Sequence, residues 1–174
     1  MADSQYLAPL QVEIIPASAA QEPILANLLE LYAHDFSEFV QLELGPDGRF
    51  GYEPLSLYWK EAGRHPFLIK AGGTLAGFAL IHQSSGISGD DQVWDVAEFF
   101  IVRGLRRRGI GRKAVHELWR RFPGKWEIRV RKENRGAKGF WAGAIAAFSG
   151  RKVPPIVFQK NGVLWQVFSF KSDH

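Results

Sequence analysis

The stretch Arg106-Arg107-Arg108-Gly109-Ile110-Gly111 decides how this chain is read. It follows an apolar, strand-like run, residues 93–102, and opens an amphipathic run, 112–122, with helical spacing. A helix N-terminus carries roughly +0.5 of a charge, and each cation placed there costs on the order of 0.3–1 kcal/mol. Three arginines at that point make sense if an anion sits with them. The two glycines allow a tight turn and bring free N–H groups close to a phosphate. The stretch therefore reads as a phosphate cradle. A dinucleotide loop would need G-x-G-x-x-G near the first strand, and a Walker loop would need G-K-[ST]; neither is present here.

Working outward, a second strand-like run, Trp126 to Arg131, follows the helix. Strand, loop (103–111), helix and strand at this spacing form a βαβ unit, so its two strands should be parallel. Asn134 to Phe148 is a further helix candidate, rich in Ala and Gly. Upstream, Gln11 to Ile15 alternates as a first strand. Pro23 stands at a helix start, and apolar residues from Ile24 to Val40 continue at near-helical spacing, to stop before the turn Gly45-Pro46-Asp47-Gly48. Leu55 to Ala62 reads as a short helix ended by Gly63. Pro66 to Ala71 and Thr74 to His82 flank Gly72-Gly73, a hairpin signal, and Gln83 to Gln92 is a polar loop. Pro155 to Gln159 and Val163 to Phe170 flank a second one, Asn161-Gly162. The expectation is an α/β fold, a mixed sheet with helices on both faces, and a single domain over 1–174.

The 174 residues include no cysteine, which excludes disulfides, thiolate metal sites and cysteine nucleophiles. No apolar run reaches about 20 residues, so no membrane span is expected. Met1 to Pro9 lacks a signal-peptide pattern, and a cytoplasmic setting is expected. Residues 103–135 hold 13 Lys or Arg against three acids, whereas the rest holds nine against 15. Such asymmetry suits a polyanion: nucleic acid, a membrane surface or a phosphorylated ligand.

The segment from Val96 through Gly111 resembles the GCN5-related N-acetyltransferase (GNAT) family. That family's Gln/Arg-x-x-Gly-x-Gly/Ala motif is matched by Arg106, Gly109 and Gly111. A second match, Asn134-x-x-Ala137-x-x-Phe140-Trp141, is similar to the family's Asn-x-x-Ala-x-x-Phe-Tyr helix. The resemblance implies an acyl-CoA N-acyltransferase fold in which acetyl-CoA, as cosubstrate and without metal, lies between the two parallel strands as they splay. It implies that the pantetheine arm pairs with the backbone of Phe100, Ile101 and Val102. The pyrophosphate then rests on Arg107, Arg108, Gly109, Ile110, Gly111 and Arg112, beside Arg106. Asn134, Arg135, Phe140 and Trp141 complete the cofactor side. The implied reaction is direct acetyl transfer to a primary amine, on a small molecule or a peptide.

Removing a proton from that amine needs a base. Glu98, on the strand before the cradle and between apolar Ala97 and Phe99, is the candidate; the other reading is an acid that only binds the acceptor's charge. Asp95, three residues away, points to the opposite face of a regular strand unless a bulge intervenes. Trp141 stands where many relatives carry a proton-donating Tyr. Indole is no acid at neutral pH, so water or one of Tyr6, Tyr32, Tyr52 and Tyr58 would donate, or no dedicated acid is needed. Trp141 then packs either on the pantetheine or in the core. His34, Asp35 and Glu38 on the first long helix are candidate acceptor-binding residues or a solvated face. His34 has no second His at ligand spacing, so no metal is expected. Two other functions stay open: an acetyl-CoA-binding protein of this fold that has lost catalysis, and a nucleic-acid module using 103–135. The apolar strand Val163 to Phe170 is a candidate homodimer edge.

Overall fold

Strands β1 (Val12–Pro16), β2 (Arg64–Ala71), β3 (Thr74–Gln83), β4 (Val93–Ile101), β5 (Lys125–Arg131), β6 (Ile156–Lys160) and β7 (Val163–Lys171) form one mixed sheet. The computed structural model describes residues 10–172. The strand order is β1-β2-β3-β4-β5-β7-β6, and every neighbouring pair is antiparallel except β4 and β5. Those two are joined through α2 (Ile110–Arg121), as the βαβ spacing requires.

Each face of the sheet buries its own apolar cluster. On one face α1 (Glu22–Phe36) sets Leu25, Leu28 and Leu29 against Phe78, Leu80 and Phe100. On the other, α2 and α3 (Arg135–Ser149) bring Trp119, Trp141 and Ile145 against Ile69, Ile81 and Ile128. Helix α3 forms despite its glycines because Gly136, Gly139 and Gly143 all fall on the exposed side. Its buried side is carried by Trp141, Ala144 and Ile145.

Three expectations are corrected. The first helix ends at Phe36, before the apolar spacing runs out at Val40, because the Ser37 hydroxyl turns back onto the His34 carbonyl at 2.6 Å. Phe39 leaves the helix and meets the Phe36 ring edge-on at 6.3 Å between centroids. Residues 55–62 form no α-helix; a 3₁₀ segment, Glu53–Trp59, is pinned by buried Tyr58 and by the Trp59 indole N–H on the Ala17 carbonyl at 2.8 Å. Finally, β7 lies between β5 and β6, so Val163 to Phe170 is no free edge; among the described residues β6 is the outer strand on that side.

Candidate functional site

Strands β4 and β5 pair over only three positions, Val93 with Lys125, Trp94 with Trp126 and Asp95 with Glu127. Beyond Asp95 they part. A bulge is the physical reason: Leu80 of β3 faces Glu98 and Ile81 faces Val96, so Ala97 is an extra residue in β4. Bulges bend a strand and sharpen its twist. Here the bend carries β4 away from β5 and leaves a split. Phe99 and Trp141 pack against each other at its border, 5.4 Å between ring centroids.

The bulge also changes which side chains share a face. Asp95 lies opposite His82 and Glu98 opposite Leu80, two positions apart on β3, so both acids face the α1 side of the sheet. The intervening bulge left open by the sequence is present. Glu98 is part-buried and accepts a hydrogen bond from the Tyr52 hydroxyl at 3.2 Å and another from Tyr32. Burial raises its pKa above the ordinary carboxylate range, and the two tyrosine hydrogen bonds only partly offset this. The tyrosine hydroxyls are pushed up in turn, first by burial and then by the Glu98 charge, so both keep their protons. Asp95 is fully buried and holds Arg129 at 2.8 Å, with the His82 ring 3.4 Å away.

At the other end of the split, the chain turns through a 3₁₀ segment, Arg103–Leu105, into α2. Arg107 and Gly109 both adopt left-handed backbone, with φ of 61° and 76°. Glycine is at home in that conformation. No side chain caps the N-terminus of α2, so the N–H groups of Ile110, Gly111 and Arg112 have no partner within the helix. Gly111 permits close packing: a Cβ there would lie 3.1 Å from the Phe140 ring. Ile110 itself is buried.

The arginines of this turn do not all share one role. Asp35, at the end of α1, binds Arg103 at 2.6 Å and Arg106. Burial of Asp35 is outweighed by the hydrogen bonds from Arg106 and then Arg103, which hold its carboxyl below the usual range. The charge at the helix start is thus partly matched from within the chain, and Arg107, Arg108 and Arg112 remain exposed. The Arg106 Nε also donates to the Ile101 carbonyl at 2.7 Å, which shows that Ile101 turns its backbone toward the split. Val102 donates its N–H inward, to Ala76 of β3, at 2.8 Å. Because backbone direction alternates along a strand, Phe100 turns inward with Val102, and Phe99 shares the outward direction of Ile101.

Two cavities meet at the split. The larger, about 890 Å³, is lined by Asp35, Glu38, Phe99, Ile101, Arg106, Arg107, Gly111, Asn134, Phe140 and Trp141 among others. The smaller, about 210 Å³, contains Glu98, Arg129, Arg131 and Trp165. Tyr32, Phe36, Phe99, Asn134, Ala137 and Trp141 line both. Asn134 caps α3 by accepting the Ala137 N–H at 2.9 Å. Trp141 is buried in the core and also borders both cavities. Arg135 and His34 are exposed and line neither cavity. Asp35 and Glu38 belong to the larger cavity, away from Glu98. Tyr6 lies outside the described residues. Arg129, Arg131 and Trp165 were legible only as a basic segment and a core aromatic. Their signal was the alternation Glu127, Arg129, Arg131 against Trp126, Ile128, Val130, which marks a strand with one polar face.

The model of the acetyltransferase (GNAT) family matches residues 25–144. Among solved structures, an acetyltransferase from Thermus thermophilus aligns with a TM-score of 0.69 at 15% identity, over 94% of this chain and 98% of that one. The ribosomal-protein-S18-alanine N-acetyltransferase of Escherichia coli aligns at 0.62 and 12%, over 94% and 96%. The spermidine N-acetyltransferase of Vibrio cholerae, in complex with CoA and spermine, aligns at 0.62 and 15%, over 93% and 96%. At these identities the likeness is one of fold. No curated protein matches the sequence.

Proposed function

The chain belongs to the GNAT acetyltransferase family, and we propose that it transfers an acetyl group from acetyl-CoA directly to a primary amine. The observation that carries this reading is the split itself, with an uncapped helix N-terminus at one end and a tyrosine-held carboxylate at the other. CoA in the structurally similar spermidine enzyme supports the choice of cosubstrate. Acetyl-CoA supplies the acetyl thioester when bound. The N–H groups of Ile110, Gly111 and Arg112, with the exposed Arg107 and Arg108, suit its pyrophosphate. The outward backbone of Phe99 and Ile101 suits the pantetheine amides, and the larger cavity has room for the chain.

Glu98 takes the proton of the acceptor's ammonium, leaving a neutral amine to attack. Its raised pKa brings its basicity nearer the working pH, while Tyr32 and Tyr52 fix the carboxylate. Tyr32 is the tyrosine that lines both cavities, and its hydroxyl keeps its proton. Its place in both cavities, rather than its acidity, puts it where the donor role that Trp141 cannot fill is needed, once Glu98 has been protonated and its charge no longer holds the tyrosine proton. With no cysteine to carry an acyl group, transfer proceeds in one ternary complex.

The test is CoA release from acetyl-CoA across a panel of primary amines. Amine-dependent release is the expected result. Tight CoA binding with no release from any amine would instead favour a CoA-binding protein without catalysis, the reading that Trp141 keeps open. Affinity for DNA or RNA with no affinity for CoA would move the basic segment to the nucleic-acid reading.

A further inference from the structure

The smaller cavity carries a charge pattern that a simple amine does not match. Glu98 is its acid; Arg129 and Arg131 are its cations. Arg129 is matched by Asp95. Arg131 is not: among the described residues it has no ion-pair partner, and its Nε has no hydrogen-bond partner. Both guanidinium groups stack on the same indole, Arg131 at 5.3 Å and Arg129 at 5.7 Å from the Trp165 ring centroid. The Nε of each is buried without a partner. Stacking fixes the plane of a guanidinium and leaves its edge to bond in that plane, the geometry that suits a carboxylate.

An ammonium that must reach Glu98 in the same cavity as the unmatched Arg131 guanidinium is repelled by it. An acceptor with its own anionic group reverses that sign. The ammonium then meets Glu98 while the anion meets the unmatched Arg131. A polyamine has no such group and adds further cations. The cavity's volume of about 210 Å³ suits a small molecule.

We infer that the acceptor is a small amine that also bears a carboxylate, of the amino-acid class, with Arg131 as the residue that selects it and Arg129 beside it. This rests on the acetyl-transfer reading above and narrows it. The chemistry is unchanged by the inference: the ammonium's proton passes to Glu98, the amine nitrogen bonds the acetyl carbon, the carbon–sulfur bond breaks with its electron pair going to sulfur, and CoA leaves as the thiol with the second proton lost by the nitrogen.

The experiment compares matched pairs, phenylalanine with phenethylamine and methionine with 3-(methylthio)propylamine, alongside spermidine and an aminophosphonate. The carboxylate-bearing member of each pair should show kcat/KM higher by about 30-fold or more, the range of a hydrogen-bonded charge pair at a binding site. Arg131→Met should erase that ratio through KM, and Arg131→Lys should restore part of it. Preference for the aminophosphonate over both amino acids would overturn the carboxylate assignment. Equal or better use of the decarboxylated amines or of spermidine would overturn the inference, as would an unchanged ratio in a folded Arg131→Met variant. If no amine is turned over, calorimetry on the CoA-loaded protein decides. Amino-acid binding that Arg131→Met abolishes supports the inference, and absence of binding overturns it. Failure of the transfer reading shows separately, as absent CoA release from every amine, whether or not CoA binds.

Discussion

Two of the carboxylates that hold arginines, Asp35 and Asp95, do so in opposite environments. Asp35 binds Arg103 and Arg106 at the rim of the helix-start turn, with a fifth of its side chain exposed (21%). Asp95 binds Arg129 beneath the smaller cavity with none exposed (0%). The pKa of Asp35 is lowered, because its arginines outweigh its modest burial; that of Asp95 is raised, because burial outweighs Arg129 and His82. The same pair of residue types therefore makes a solvated clasp in one place and a rigid platform in the other. Burial, rather than the number of partners, decides which.

The largest expected effect lies beside the buried member. Glu98→Gln keeps the shape of the site and removes its base, so kcat should fall by roughly 10²–10⁴ while CoA affinity stays unchanged. In the wild type, activity should rise with pH through a pKa above the ordinary carboxylate value, because only ionised Glu98 accepts a proton. The variant's pH–rate profile should lack that limb. A variant that changes only KM for the amine would make Glu98 a binding group.

Asp95→Ala tests the platform directly. It leaves Arg129 without its partner, and breaking a buried pair costs about 3–5 kcal/mol. The low end is expected, since Arg129 keeps a quarter of its side chain in solvent (25%). Urea unfolding measures the loss. A change below about 1 kcal/mol, the value of an exposed pair, would place Asp95 in the same class as Asp35.

How much of this contrast was legible in the chain differs between the two ends. The turn into α2 was visible because its signal is local: Arg106, Gly109 and Gly111 stand in the order that a strand-to-helix turn needs. The sheet, the parallel pair and the Asn161-Gly162 hairpin followed from spacing in the same way. The cavity was not, because it depends on an extra residue at Ala97, and a bulge leaves no mark in a strand's composition. That one residue moves Asp95 onto the face of Glu98. Nor does counting charges over 103–135 separate Arg106, clasped at the surface, from Arg131, stacked on Trp165. Strand periodicity would have separated them. The end of α1 at Ser37 likewise rests on one hydroxyl, which apolar spacing does not register.

A smaller effect probes the turn between the two carboxylates. Gly109→Val puts a β-branched residue at φ 76°, at a cost of about 1–2 kcal/mol. If that strain relaxes the turn, CoA affinity should fall about tenfold, as 1.4 kcal/mol implies. Isothermal calorimetry reads it. Gly111→Val is a poorer probe, because its side chain would also press on Phe140.

The smallest effect completes the comparison. Asp35→Ala should cost no more than about 1 kcal/mol, and the two aspartates should differ in the sign of their pH dependence. Asp35, with a lowered pKa, contributes stability above its unfolded value and loses it as pH falls through the folded one. Asp95, with a raised pKa, contributes most at low pH and loses that contribution as pH rises through its folded value. Unfolding free energies of wild type and both variants across pH 3 to 8 (about this range brackets carboxylate titration) should give difference curves of opposite slope. Parallel curves would mean that burial does not separate the two clusters.

The central claim is that the split between β4 and β5 is an acetyl-CoA site, and a thermal-shift titration tests it most directly. CoA that binds only the folded chain should raise stability by about 2.7 kcal/mol at a hundredfold excess over Kd. The account predicts a saturable rise in Tm with CoA, a much smaller one with NAD, ATP or GTP, and a reduced rise in Gly109→Val. A rise with NAD equal to that with CoA, or no rise with CoA at all, would contradict it.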